Sequence, residues 1–222
     1  MKKVLILFAI LVVPSIYYLV VRAGKNNYKP LEYFGPKEPV LKTVNGKSVV
    51  DTVYHSVGGF SLLDQDSNSV TEKVVEGKIY VADFIFTSCK TICPKMSNQM
   101  MAVQYKFRDS TNFNILSFTV DPEFDSPSVL KTYAQAHQAI KNKWYFLTGD
   151  KKMIYDLARN SYFVTALKGD GGPDDFVHSE QVVLVDKEKH IRGFYDGTDV
   201  METRRLNEDI STLMFEYAHK QN

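Results

Sequence analysis

Two thiols and one imidazole are the side chains of this sequence best suited to chemistry. The only two cysteines stand four apart in Phe86-Thr87-Ser88-Cys89-Lys90-Thr91-Ile92-Cys93-Pro94, directly after the apolar run Ile79 to Phe86. His178 lies far downstream, between a Gly/Asp-rich loop and a second apolar run. Residues i and i+4 share one helix face, and a loop packed on a helix start would bring two sulfurs equally close. A helix N-terminus and Lys90 both favour thiolate, the form that binds soft metals and attacks disulfides. Two thiolates and an imidazole suit copper, Cu(I) above all, whereas Ca²⁺ and Mg²⁺ seek oxygen and structural zinc wants four ligands. Thiol–disulfide exchange needs the same thiolates and stands as the alternative. The inert readings are a static disulfide or buried core thiols. So short a closed loop removes little chain entropy, which argues against a staple. Taken alone, His178 reads as an ordinary loop histidine.

The elements around these residues alternate. The run to Phe86 is expected to be a strand that delivers the cysteine loop, and Pro94 can open a helix because its missing N–H falls among the unbonded donors of a first turn. That helix should run to about Arg108, with Met96, Met100, Val103 and Phe107 on one face. Strands are expected at Asn114–Val120, Trp144–Leu147, Gln181–Val185 and Ile191–Tyr195, the last two joined by a charged turn at 186–190. Helices are expected at Pro127–Ile140, capped by Asp125-Ser126-Pro127, at Lys151–Ser161 and at Val200–Tyr217. Residues 60–70 read as a hairpin with a polar turn. Strands alternating with helices, then a hairpin, point to a three-layer α/β sandwich, with the cysteine loop at the carboxyl end of a strand where such sheets place ligands.

The chain has room for one ordinary domain and an anchor or tail. A net charge of +1, with both signs mixed along 222 residues, gives no nucleic-acid footprint. Val4 to Val21 is uncharged and apolar apart from Pro14 and Ser15, and follows Lys2 and Lys3. Its eighteen residues would make about 27 Å of helix, close to a bilayer core of roughly 30 Å. An uncleaved membrane anchor over residues 1–23 is therefore expected, ahead of a signal removed after Val21-Arg22-Ala23. Basic residues flank both ends, so charge alone does not orient it. An N-terminal export signal sends the long C-terminal part outward, into a compartment that permits disulfides. Residues 24–54, rich in Asn, Lys, Gly and Pro, read as a linker ending in short strands near 40–44 and 48–53. Residues 55–222 form the expected domain.

Several motifs together resemble one family. Phe84-x-Phe86-Thr87-x-Cys89-x-x-x-Cys93-Pro94, then Thr119-Val120-Asp121-Pro122 with Asp125 and Pro127, then His178-Ser179 before a strand ending in Asp186, are similar to the Sco/SenC pattern from about Val57 to Tyr217. The resemblance implies a membrane-anchored, thioredoxin-like copper protein that helps deliver copper to cytochrome c oxidase. It implies Cys89, Cys93 and His178 as copper ligands. It also implies partners: a copper-site subunit of the oxidase or another copper chaperone. The expected location is a bacterial cytoplasmic membrane, with a single pass and the soluble domain on the extracytoplasmic side. The competing function is a membrane-anchored thiol–disulfide oxidoreductase, with Cys89 and Cys93 as its catalytic pair, that reduces cysteines of a partner's metal site. A peroxide-reducing relative is a weaker third reading. Two positions depart from the family pattern: Lys90 where proline is common after the first cysteine, and Val177 where an Asp precedes the histidine. The Gly-rich loop before His178 is expected to move and to close the imidazole over copper.

Other residues have plainer readings. Asp121-Pro122 is a turn, to which the resemblance adds a supporting role beside the cysteine loop. Asp83, inside an apolar strand, is either hydrogen-bonded to a neighbour or a buried group that tunes the thiols. Met96, Met100 and Met101 have the spacing of core residues. His55, His137, His190 and His219 are expected to be solvated.

Overall fold

The computed structural model describes residues 2–23, 30–44, 47–164 and 179–219. Helix α1 spans Lys2–Ala23, with Pro14 inside it. Strands β1 (Lys37–Val44) and β2 (Lys47–Tyr54) pair as a separate antiparallel hairpin. Then come β3 (Ser61–Asp64), β4 (Ser69–Thr71), a 3-10 turn at Glu72–Val75 and β5 (Ile79–Ile85). Helix α2 (Ile92–Lys106) leads to β6 (Phe113–Thr119), α3 (Pro127–Ala136) and β7 (Trp144–Thr148). The chain closes with α4 (Lys151–Asp156), a π turn at Leu157–Ser161, β8 (Gln181–Val185), β9 (Ile191–Asp196) and α5 (Val200–His219).

The seven strands β3 to β9 form one mixed sheet in the order β4-β3-β7-β6-β5-β8-β9. Strands β5, β6 and β7 are parallel, while β8 and β3 run antiparallel to β5 and β7. Every residue of β5 and β6 is buried, as expected of strands covered on both faces. Alternate residues serve two cores. Val81 and Ile85 join Met96, Met100, Leu130 and Leu206 beneath α2, α3 and α5. Ala82 and Phe84 face the opposite core, under Ile154 and Leu157. This is the expected three-layer sandwich.

Some boundaries differ from the periodicity, each for a local reason. Helix α3 stops at Ala136 rather than Ile140, because Gln138 takes a left-handed φ of 51°. Beyond Asp156 the third helix widens, with Tyr162 N–H bonded to Leu157 O at 2.9 Å. That π turn places the Tyr162 hydroxyl 3.1 Å from the Tyr80 hydroxyl inside the core. Ser126, not Asp125, occupies the N-cap of α3 and makes no side-chain cap bond.

The expected membrane span falls on α1. The side chains of residues 4–7, 9, 20 and 21 lie outside the described set, and among the described residues no helix is long and apolar enough to cross a membrane. Part of the expected linker packs on the domain. Phe34 bridges to Ile191, and the Tyr33 ring stacks on Tyr54 with centroids 4.1 Å apart. Arg192 makes the attachment. Buried to 2% exposure, it donates to Leu31 O at 2.7 Å and Glu32 O at 3.2 Å. It also pairs with Asp186 at 2.9 Å and Glu216 at 3.3 Å. Removing the guanidinium would break a fully buried ion pair with Asp186 and the two bonds that hold the linker carbonyls. Arg192→Met is therefore expected to lower unfolding free energy by roughly 3–5 kcal/mol in urea titration and to speed amide exchange at Phe34.

Candidate functional site

The cysteine loop joins the carboxyl end of β5 to the first turn of α2. Cys89 precedes the helix and Cys93 is its second residue, so the pair is a loop packed on a helix start rather than two points on one helix. Both are free thiols, 8% and 2% exposed. The Cys93 N–H points at Cys89 Sγ at 3.5 Å, and the Thr91 hydroxyl lies 3.7 Å from the same sulfur. The sulfur thus occupies a position where first-turn N–H groups lack helical partners. Pro94 sits in the same turn and forfeits no helical bond there.

The two thiols are driven apart in acidity. Burial works to raise Cys89, but hydrogen bonding from the Cys93 and Thr91 backbones and side chains outweighs it and brings the thiol down to about 7. Cys93 is pushed up to about 12, chiefly by burial and further by the nearby Cys89 and Asp83, with the Phe86 backbone offsetting part of the rise. One readily ionised thiol beside one more deeply buried thiol is the arrangement that supports either nucleophilic attack or soft-metal capture.

Asp83 lies on the same side of β5 as Val81 and Ile85, the side facing α2. Neither of its oxygens has a hydrogen-bond partner among the described residues, so of its two readings the geometry fits the buried acid beside the thiols. Burial raises its pKa from 3.8 to about 7. The Ser117 hydroxyl, its register neighbour on β6, offsets part of this rise; its oxygen accepts from Trp144 Nε1 at 2.8 Å. Met96 and Met100 are fully buried core residues, as their spacing indicates.

The carboxyl end of β6 lies against the cysteine loop, because Val120 N–H bonds Ile85 O at 2.8 Å. Asp121 acts there through its backbone. Its N–H bonds Thr119 Oγ1 at 3.0 Å, and its carbonyl accepts from Phe124 and Asp125 at 3.2 and 2.8 Å. This turn buries Asp125 completely and aims it back at the cysteine loop. Its carboxylate accepts from Thr87 N–H at 3.0 Å, from the Thr87 hydroxyl and from the Thr119 hydroxyl at 2.5 Å. Sequence reasoning treated Asp125 as part of a helix cap. The missed signal was a second acid four residues after Asp121, with hydroxyls at Thr87 and Thr119 ready to donate.

His178 and the loop 165–178 lie outside the described residues. Three other histidines are not fully solvated as expected. Half-buried His137 packs against the Tyr133 ring with centroids 4.5 Å apart. His55 Nε2 meets Ser161 O at 2.8 Å, and half-buried His190 packs edge-on against Tyr33. Ligand atoms of Asp186, Glu188 and His190 gather within 4.8 Å. Asp186, however, is committed to Arg192 and to the Glu188 and His190 N–H groups of the β8–β9 turn, so the cluster closes a turn.

A family model described as SCO1/SenC matches residues 51–214. The chain belongs to the SCO1/SenC family. Among curated relatives, the SCO1 protein homolog of Bacillus subtilis (strain 168) is 33% identical over 161 residues, covering 72% of this chain and 83% of its own. The structure of BsSco, a member of the Sco family of cytochrome c oxidase assembly proteins in which a disulfide switch was identified, is 31% identical. It superposes with a TM-score of 0.62 over 72% of this chain and 93% of its own. Arabidopsis thaliana ScoI, solved with copper bound, is 29% identical with a TM-score of 0.56, covering 69% of this chain and 97% of its own. This likeness makes the sandwich a Sco-type thioredoxin-like fold.

Two outcomes follow from the acidities. Alkylation by iodoacetamide should label Cys89 first, its rate rising with pH to half-maximum at about 7, while Cys93 stays unlabelled at neutral pH; peptide mapping checks the order. For Asp83 the raised pKa favours the protonated form in the fold. That stabilisation is complete below pH 3.8 and gone once pH exceeds about 7. Asp83→Asn should match the parent near pH 4 and exceed it by up to roughly 4 kcal/mol above pH 7 in denaturant titrations.

Proposed function

We propose that this chain is a copper-binding metallochaperone that helps supply copper to a cytochrome c oxidase subunit during assembly, with Cys89, Cys93 and His178 as the ligands. The observation that carries this reading is the pair of free, adjacent thiols, one of them acidic, at the strand end of a SCO1/SenC domain. The donor set fits the cargo: soft sulfur selects Cu(I), and the N–H groups at the start of α2 stabilise the charge a bound thiolate needs. The copper-loaded plant relative and the oxidase-assembly role of BsSco support it. In this reading the apolar α1 anchors the domain on the outer side of a cytoplasmic membrane. Its partner is an oxidase copper-site subunit or another copper chaperone that exchanges cysteine ligands with it.

A second reading rests on a separate observation. Cys89 at about 7 and Cys93 at about 12 have the unequal acidities of an attacking and a resolving thiol. The protein would then reduce cysteines of a partner's metal site, with Cys89 attacking. The disulfide switch identified in BsSco supports this alternative.

Anaerobic Cu(I) titration of the full chain against a chromogenic chelator, with X-ray absorption of the product, separates the two. Metallochaperone function predicts one copper bound more tightly than about 1 μM by two sulfurs and one nitrogen, with at least roughly tenfold weakening in His178→Ala. Binding weaker than that, with disulfide exchange intact in His178→Ala, selects the oxidoreductase.

A further inference from the structure

Thr87 has no thiol and binds no copper in either reading, yet it receives the most elaborate support in the site. Cys89 N–H bonds Phe86 O at 3.2 Å, closing a turn with Thr87 and Ser88 at its centre. Fixing Thr87 therefore fixes where Cys89 leaves the turn. Both Thr87 donors, N–H and hydroxyl, end on the Asp125 carboxylate. That carboxylate is fully buried and is itself held twice, by the Thr119 hydroxyl at 2.5 Å and by its own N–H on Asp121 O at 2.8 Å. The Thr119 oxygen also accepts from Asp121 N–H at 3.0 Å, so one hydroxyl ties the Asp121 turn to the Asp125 carboxylate. The network links the ends of two parallel strands: Ile85 pairs with Thr119, and the cysteine loop leaves one strand as the Asp121 turn leaves the other.

We propose that Asp125 is the positioning residue of the site: by clamping Thr87 across the β5–β6 strand ends, it holds the Phe86–Cys89 turn so that Cys89 Sγ stays against the Cys93 N–H. The clamp acts before any metal or partner arrives. It removes the freedom of the one segment that would otherwise separate the sulfurs, and so raises their effective concentration toward each other. Charge-assisted bonds from two donors to one buried carboxylate are strong enough to set a loop of this length. The inference rests on Cys89 and Cys93 as the working pair of the proposed function, and it concerns their geometry rather than their cargo.

The test is the equilibrium between the copper-free pair and glutathione. Each reduced pair gives two electrons and two protons to one glutathione disulfide, which becomes two glutathione thiols while the Cys89–Cys93 bond forms. Asp125→Asn keeps the shape and loses the charge, and should lower this equilibrium constant about tenfold, the equivalent of one weakened charge-assisted bond. Thr87→Val removes only the hydroxyl donor and disturbs packing less, so it keeps the test open should Asp125→Asn fold poorly. It should lower the constant about threefold. Thr87→Ser, which restores both donors, should return the parental value, and amide exchange at Cys93 should quicken in step with each loss. An unchanged or increased constant in both Asp125→Asn and Thr87→Val, even with a reduced melting temperature, would make Asp125 a structural brace only and overturn the inference. Because no copper is present, a failed copper titration leaves this result untouched, and a failure here leaves the copper reading standing.

Discussion

Burial of β5 and β6 on both faces is the constraint from which the rest of the molecule follows. Seven consecutive buried residues in each strand leave no solvent-facing side, so helices must cover both faces and the strands must run parallel through helical crossovers. Parallel pairing in the register Ile85 with Thr119 then brings two carboxyl ends side by side. The cysteine loop leaves one end and the Asp121 turn leaves the other. Loops at such ends are freed from the core yet anchored by it, which is why a reactive pair can be held rigidly there.

Within that frame the two sulfurs differ in burial and in the hydrogen bonds they receive. Cys93 belongs to the first turn of α2 and faces the core with Met96 and Met100, so its charged form is opposed by burial. Cys89, just before the helix, is less deeply buried, and hydrogen bonds to its sulfur overcome the effect of burial. The same helix start therefore supplies an acidic thiol and a reluctant one. Unequal acidities of this kind suit a thiol pair at the strand end of a SCO1/SenC domain, where one sulfur is readily ionised and the other is held back.

Legibility from sequence varied with how local each determinant is. The β8 strand and the start of α3 at Pro127 were readable because apolar periodicity and a first-turn proline act over a few residues. The end of α3 was not, since the left-handed turn at Gln138 arises where the chain reverses toward β7. His55 and His190 looked solvated because nothing near them in sequence covers them. Ser161 and Tyr33, which do, are distant along the chain. Asp83 announced itself as an acid in an apolar strand, but whether a partner waited on β6 was a matter of packing, and Trp144 engages Ser117.

By itself the sequence determined the reactive groups and their neighbourhood: two cysteines four apart, a strand before them, a helix-compatible proline after them, and the ordered motifs of one family. These depend on residue identity and short spacing, which survive in one dimension. Only the tertiary structure decided that Cys89 is the acidic thiol and Cys93 the buried one, that Asp121 works through its backbone, and that Asp125 holds Thr87 instead of capping α3. These outcomes depend on burial, on the conformation of the turns after β5 and β6, and on contact between distant segments, as with Thr87 and Asp125, 38 residues apart. Strand register creates such contacts, and register is set by the burial pattern of the whole sheet.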